Sequence, residues 1–190
     1  MKDGVRIAVV GTGAIAQLTH IPVLSKLRGA SLVALCDNDG AKARALADRF
    51  GVPDVFTDFE ELLDSDELDA VVITHAHNDH IGMLPKLVKE GYRGPIYATP
   101  ATIGLCKISL PDGGRIQEED ASYHRRHGTS RHADPQPLFT EADAYDVFKQ
   151  FKPVHYFQMQ ELPGGASFQY MPAGHILGAA FAEIYFENGE

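Results

Sequence analysis

What most limits the fold of this chain is a repeated alternation between short apolar runs and stretches with helical spacing. Residues 5–10, Val-Arg-Ile-Ala-Val-Val, form a run that stops at Gly11. Ser31 to Cys36 and Leu68 to Thr74 repeat the pattern, with a short strand near Val55-Phe56 between them. Runs without polar alternation fit strands buried on both faces of a parallel sheet. Between them the spacing predicts a helical stretch from about Ala14, divided by Pro22, and another over Ala41 to Phe50 that stops at Gly51. An acidic helix is expected over Phe59 to Leu63. The alternation places the chain in the α/β class, with a mainly parallel sheet and flanking helices.

Past residue 75 a helix over Gly82 to Glu90, with Pro85 in its first turns, leads through Gly91–Pro95 to a strand at Ile96–Ala98. Residues 120–140 lack apolar periodicity and read as a mobile loop. Three strand-like runs follow, Val154–Gln160, Ala166–Met171 and Ala180–Phe186. They are separated by Pro163-Gly164-Gly165 and by Pro172–Gly178, and predict an antiparallel meander. A length of 190 residues allows one domain, or two halves sharing a core, here 1–73 and 74–190.

Hydrophobic residues at 44% and charged residues at 23% exclude general disorder. No apolar run approaches the ~20 residues of a membrane span, and the N-terminus has no signal-peptide character. Cys36 and Cys106 are too few for a disulfide scaffold, which fits a cytoplasmic protein. A formal charge of −9 excludes an electrostatic coat for nucleic acid, leaving a small-molecule or locally bound nucleic-acid substrate.

Two motifs carry chemistry. Gly11-Thr12-Gly13-Ala14-Ile15-Ala16 is a G-x-G-x-x-A turn between a strand and a helix. Gly11 allows the tight turn, Gly13 admits a pyrophosphate to the backbone, and Ala16 permits close helix packing. The helix start at Ala14 and Ile15 offers free N–H groups. Asp37, closing the second strand, would accept from a ribose hydroxyl and favour NAD. The plainer alternative is a turn used only for packing.

The second motif is His75-Ala76-His77-Asn78-Asp79-His80, directly after a buried strand. Histidines two apart on an extended strand end project in similar directions, and the Asp79-His80 turn reaches a second position nearby. Imidazole with carboxylate suits zinc. The alternative is a surface cluster with no metal. His124, His127 and His132 read as solvated loop residues, and His20 as packed at the kink before Pro22.

Residues 5–73 resemble the glucose–fructose oxidoreductase/inositol dehydrogenase family. The resemblance rests on Ile7–Ala16, His20-Ile21-Pro22, Leu35-Cys36-Asp37 and Asp69–Ile73. It implies a Rossmann-like, NAD-binding half. The family's Glu-Lys-Pro motif has no counterpart in the expected place, so hydride transfer is not implied.

Residues 70–190 resemble the β-CASP branch of the metallo-β-lactamase fold, through the histidine motif, Gly82–Leu87, Gly91–Thr99 and Ala173–Gly178. That resemblance implies that His75, His77 and His175 hold one zinc, that Asp79 and His80 contribute to a second, and that Asp79 orients the water attacking a phosphodiester. The family's first strand layer, its later Gly-Asp and histidine motifs and its cap domain have no counterpart here. Asn78 and Ala179 also depart from its pattern. One tight metal site is therefore expected, the second being left with two ligands.

The two resemblances meet within Val71–Thr74. A strand order 3-2-1-4 would put both motifs on one carboxyl edge, in one crevice. Three readings follow: a metal-dependent hydrolase, an NAD-binding module or remnant oxidoreductase, and an engineered hybrid without catalysis.

Overall fold

The chain divides into two units, one of residues 1–69 with 160–168 and 184–190, the other of residues 70–159 with 169–183. The computed structural model describes residues 5–14, 16–27, 30–58, 61–62, 68–162 and 165–186. Ile15, most of the expected acidic helix at 59–63 and the turn residues Pro163 and Gly164 lie outside these.

In the first unit, β1 (Val5–Val10), β2 (Ala30–Cys36) and β3 (Asp54–Phe56) form a parallel sheet in the order β1-β2-β3. The helical stretch after Gly13 is a π-helical turn at Ala16–His20 running into α1 (Ile21–Leu24). Pro22 sits in the first turn of α1, where its missing N–H costs nothing. His20 is exposed rather than packed at this junction. Helix α2 (Gly40–Phe50) is capped by the Asp39 side chain on Lys42 N and closed by Gly51 at φ +70°.

A bulge decides which residues of β2 face which core. Ile7 pairs with Leu32 but Ala8 with Ala34, so Val33 is an extra residue. The side-chain alternation flips there. Leu32 and Leu35 consequently share one face with Ala16, Ile21, Leu46 and Val52, while Val33, Ala34 and Cys36 share the other with Ala8 and Leu62.

In the second unit, β4 (Val71–Val72), β5 (Ile96–Ala98) and β6 (Phe151–Pro153) form a separate parallel sheet, order β4-β5-β6. The expected order 3-2-1-4 is thereby corrected: β4 pairs with β5 and stands in a different sheet from β1. Only two residues of the predicted 68–74 strand are in strand conformation. Short helices α3 (Asn78–Ile81) and α4 (Leu84–Lys89) connect β4 to β5, with Pro85 in the first turn of α4.

The largest departure is α5, a 28-residue helix over Pro100–His127. It runs through Pro111-Asp112-Gly113-Gly114 and ends at Gly128 with φ +61°. The turn-like composition hides a buried stripe of Ile103, Cys106, Leu110, Gly114 and Ala121 at helical spacing. Arg115 adds ion pairs to Asp112 and Glu119. His124 and His127 are exposed as expected, but on the last turns of this helix rather than in a loop. Helix α6 (Glu141–Val147) follows, opened by a reciprocal Thr140–Asp143 capping box that the reading of residues 120–140 passed over.

The first predicted run of the meander is also displaced. Residues 151–153 belong to the parallel sheet, Phe157 takes φ 63° in a turn, and β7 covers only Met159–Glu161. With β8 (Ser167–Pro172) and β9 (Ala180–Tyr185) it forms the antiparallel C-terminal sheet, order β7-β8-β9. Among the described residues no helix is long and apolar enough to cross a membrane.

Gly114 lies where α5 meets the start of α6. A Cβ there would stand 2.6 Å from Glu141 N and from the Thr140 carbonyl. A glycine-to-alanine change inside a helix ordinarily gains about 1 kcal/mol. Here the backbone clash outweighs that gain, so Gly114→Ala is expected to lower unfolding free energy in urea by about 1–3 kcal/mol. A stabilised variant would contradict this packing.

Candidate metal centre

The centre is built at the end of β4, where the chain leaves the sheet. Tyr170, fully buried, places its hydroxyl 2.8 Å from Ile73 O and 2.9 Å from Tyr97 O. Burial pushes this phenol well above its ordinary range, so it stays a neutral donor. The residues that follow, Thr74 to His77, lie outside helix and strand, and His77, extended at φ −71°, precedes the short α3.

The second loop is fixed by a carbonyl. Gly178 O accepts from Thr99 Oγ1 at 2.7 Å and Thr102 Oγ1 at 3.0 Å, both on buried threonines at the start of α5. Gly178 has φ +80°, and a Cβ there would lie 2.5 Å from Thr102 N. The glycine is thus required by conformation and by close approach alike. Ala180 N donates to Thr74 O at 2.8 Å, tying this loop to the first.

Three imidazoles meet as a result. His75 Nε2 lies 3.1 Å from His77 Nδ1, and His175 Nε2 lies 3.1 Å from the same nitrogen. The three ligand atoms all fall within 4.8 Å of one another. Nitrogens at the corners of a tetrahedron with zinc–nitrogen bonds of 2.0–2.1 Å are about 3.3 Å apart. Two edges approach that spacing and all three lie within 4.8 Å, so the donor set, three neutral imidazole nitrogens, suits one ion of the zinc class. Thr74 Oγ1 sits 3.0 Å from His75 Nδ1, while Nε2 of the same ring faces His77. Burial first, then repulsion from His80, His77 and His175, lowers the His75 pKa and favours the neutral ring.

Asp79 and His80 flank this trio, with the His80 ring packed on that of His75. Both are on α3; the His80 ring centroid is 4.1 Å from that of His75, and Asp79 Oδ2 is 3.6 Å from His80 Nε2. Neither joins the set of close ligand atoms among the described residues. Sequence reasoning missed Thr99, Thr102, Gly178 and Tyr170 as supports, because their partners are 73 to 97 residues away. Thr99 at the start of a helix was the one local signal, since it also caps Thr102 N.

The glycine motif lies in the first unit. Gly11 has φ +87° and donates its N–H to Cys36 O at 2.8 Å. Gly13 has no positive φ, and among the described residues no atom outside its own chain neighbours would lie within 4 Å of a Cβ there. Ala14 is exposed and Ala16 is buried in the core.

Asp37 is already engaged. Oδ2 accepts from Thr12 N and Thr12 Oγ1, both at 2.7 Å, while Oδ1 accepts from Asp39 N at 2.9 Å and pairs with Lys42 Nζ at 3.0 Å. Its four acceptor positions are filled, so a ribose hydroxyl would first have to displace a partner. Lys42 reaches Asp37 through the end of a long, partly exposed side chain, and is the one most readily displaced.

Burial opposes Asp37 ionisation, but these bonds outweigh it and hold the carboxyl well below the usual range. A depressed folded-state pKa gives stability that is present above about pH 4 and lost as pH falls further. Asp37→Asn is therefore expected to cost about 1–3 kcal/mol at pH 7 and to flatten the loss of stability in urea melts between pH 4 and pH 2. Parallel pH curves for the two proteins would contradict the assignment.

Comparison with known proteins finds likeness of two kinds. Residues 5–93 match the model of the oxidoreductase family with an NAD-binding Rossmann fold. A ribonuclease of Thermus thermophilus is 39% identical over 118 residues, 62% of this chain and 23% of the relative. The transcription termination factor FttA of Thermococcus kodakarensis is 32% identical over 133 residues, 70% of this chain and 18% of the relative. The chain thus spans about a fifth of the length of these relatives. Among solved structures, myo-inositol dehydrogenase from Lactobacillus casei, in complex with NAD(H) and myo-inositol, aligns with 60% of this chain and 34% of its own. The TM-score is 0.43 and the identity 26%. Residues 5–93 are thus similar to an oxidoreductase family with an NAD-binding Rossmann fold, and stretches of 118 and 133 residues are similar to a ribonuclease and to a transcription termination factor.

Proposed function

We propose that His75, His77 and His175 hold one divalent ion of the zinc class and that the centre serves hydrolysis of a phosphodiester, RNA-like, or of a related ester. The convergence of three ring nitrogens from loops a hundred residues apart carries this reading. Similarity to a ribonuclease and to termination factors supports the substrate class. A divalent ion bound there supplies Lewis-acid stabilisation of charge on a phosphoryl oxygen.

The chain's own residues do the rest. Thr74 orients His75 through Nδ1, and Gly178 holds the His175 loop in register. Asp79, on the first turn of α3 and largely exposed, orients the attacking water and takes its proton on a carboxylate oxygen. Among the described residues His80 and Asp79 offer two ligands to a second ion, fewer than a tight site needs. At −9 the chain gives RNA no general attraction, so local contacts must position the substrate. Two buried free thiols, Cys36 and Cys106, suit the cytoplasm.

A second reading gives residues 5–93 a nucleotide role. Gly13, with open space where a Cβ would stand, supports NAD binding at the glycine turn, with Lys42 yielding its place on Asp37. The third reading, a hybrid that folds without catalysis, predicts neither NAD binding nor cleavage.

Purified protein is expected to carry one equivalent of zinc, lost in His175→Ala, and to cleave bis-p-nitrophenyl phosphate in a chelator-sensitive way. Asp79→Asn should lower kcat by about 10²-fold or more at unchanged metal content. Two tightly held ions per chain, or cleavage that survives chelation, would contradict the reading. Saturable NAD binding without cleavage would favour the second.

A further inference from the structure

The turn from His155 to Gln158 is closed by Gln158 N donating to His155 O at 3.2 Å. Its third residue, Phe157, has φ +63°, and among the described residues no other residue but glycine has a positive φ. Glycine or asparagine ordinarily takes such a position, and a bulky side chain there costs free energy. Burial of the side chain could offset that strain. Phe157 is 65% exposed, so the fold gains little from the ring.

Two bonds place this turn against the candidate metal centre. Phe157 N donates to Tyr170 O at 2.9 Å, five residues before His175. The Tyr156 hydroxyl donates to Ala179 O at 2.9 Å, four residues after it. One dipeptide thus holds both stems of the loop that carries His175. The Phe157 ring lies beside that of Tyr156, with centroids 6.5 Å apart and planes inclined at 56°. An apolar ring therefore stands in solvent on the flank of that loop, on a strained but anchored backbone.

A flat, apolar partner would offset the strain on binding. Nucleobases offer such a face, and phosphate and ribose do not. Stacking also suits a chain at −9, which cannot hold RNA by overall charge. We propose that Phe157 is the platform on which an unpaired nucleobase of the substrate stacks, beside the phosphodiester taken at the metal centre. The proposal rests on the RNA-like reading of that centre and names the residue that selects among its substrates. A base within a duplex has both faces covered and is refused. Strain retained at a binding surface presents the ring to solvent instead of burying it.

Fluorescence anisotropy on the zinc-treated full chain tests it with three labelled probes that resist cleavage. These are a 2′-O-methyl octaadenylate, the same strand paired to its complement, and an abasic oligomer of equal length. The single strand is expected to bind at least tenfold more tightly than either of the others. Phe157→Gly should weaken that binding about tenfold or more, the range of one base–aromatic stack, and leave the abasic oligomer unaffected. The same change should raise Tm by about 2–4 °C, because it relieves the backbone. Phe157→Asn, which also tolerates the turn, should behave alike, and Phe157→Trp should keep the affinity. Zinc content should match the unsubstituted protein in all three. Binding is read without cleavage, so a protein that holds no zinc yet keeps this discrimination would contradict the metal reading and support the platform. Equal binding of the single strand and the abasic oligomer or the duplex would overturn it. So would an affinity unmoved by Phe157→Gly and Phe157→Asn, a Tm lowered in both, or no binding at millimolar strand.

Discussion

Ala180 N donates to Thr74 O, and through that bond the loop bearing His175 is fastened one residue before His75. Thr99 and Thr102 grip the same loop at Gly178 O, while Tyr170 stands beneath the other loop at Ile73 O. These contacts run mostly through main-chain atoms. The three ring nitrogens are therefore brought together by backbone geometry, before any ion contributes. Rings placed in this way are preorganised, so the ion proposed for them would have less conformational entropy to overcome.

The motifs were legible where the chemistry is local in sequence. His75 and His77 stand two apart just past β4, Gly11 needs its positive φ, and Asp39 and Gly51 bracket α2 as their residue types dictate. The partner of the histidine pair was legible only through resemblance, because a lone His175 in a glycine-flanked turn has no local pattern to mark it. Helix α5 was obscured by Pro111, Gly113 and Gly114, whose turn-forming preference is overridden by a buried stripe and by Gly114's contact with α6. The bulge at Val33 left no trace in the apolar run, since every residue there is hydrophobic and the flip between faces leaves the pattern unchanged.

Asp37 shows how one residue can serve fold and function in competition. At the end of β2 it stands where a ribose acceptor belongs, yet it spends its acceptors on the glycine turn and on α2. The same carboxylate that would bind a cofactor organises the turn in its absence. Binding of NAD would thus be an exchange of partners, with Lys42 the one most easily given up. The metal-centre loops face no such conflict, for their anchoring bonds use atoms other than the ligand nitrogens.

Zinc K-edge X-ray absorption on the one-equivalent complex probes the centre most directly. Three imidazole nitrogens near 2.0 Å, with outer-shell scattering from the rings that diminishes in His175→Ala, are the expected result. A shell of oxygen ligands alone, or one unaffected by that substitution, would contradict the convergence of the three histidines on a single ion.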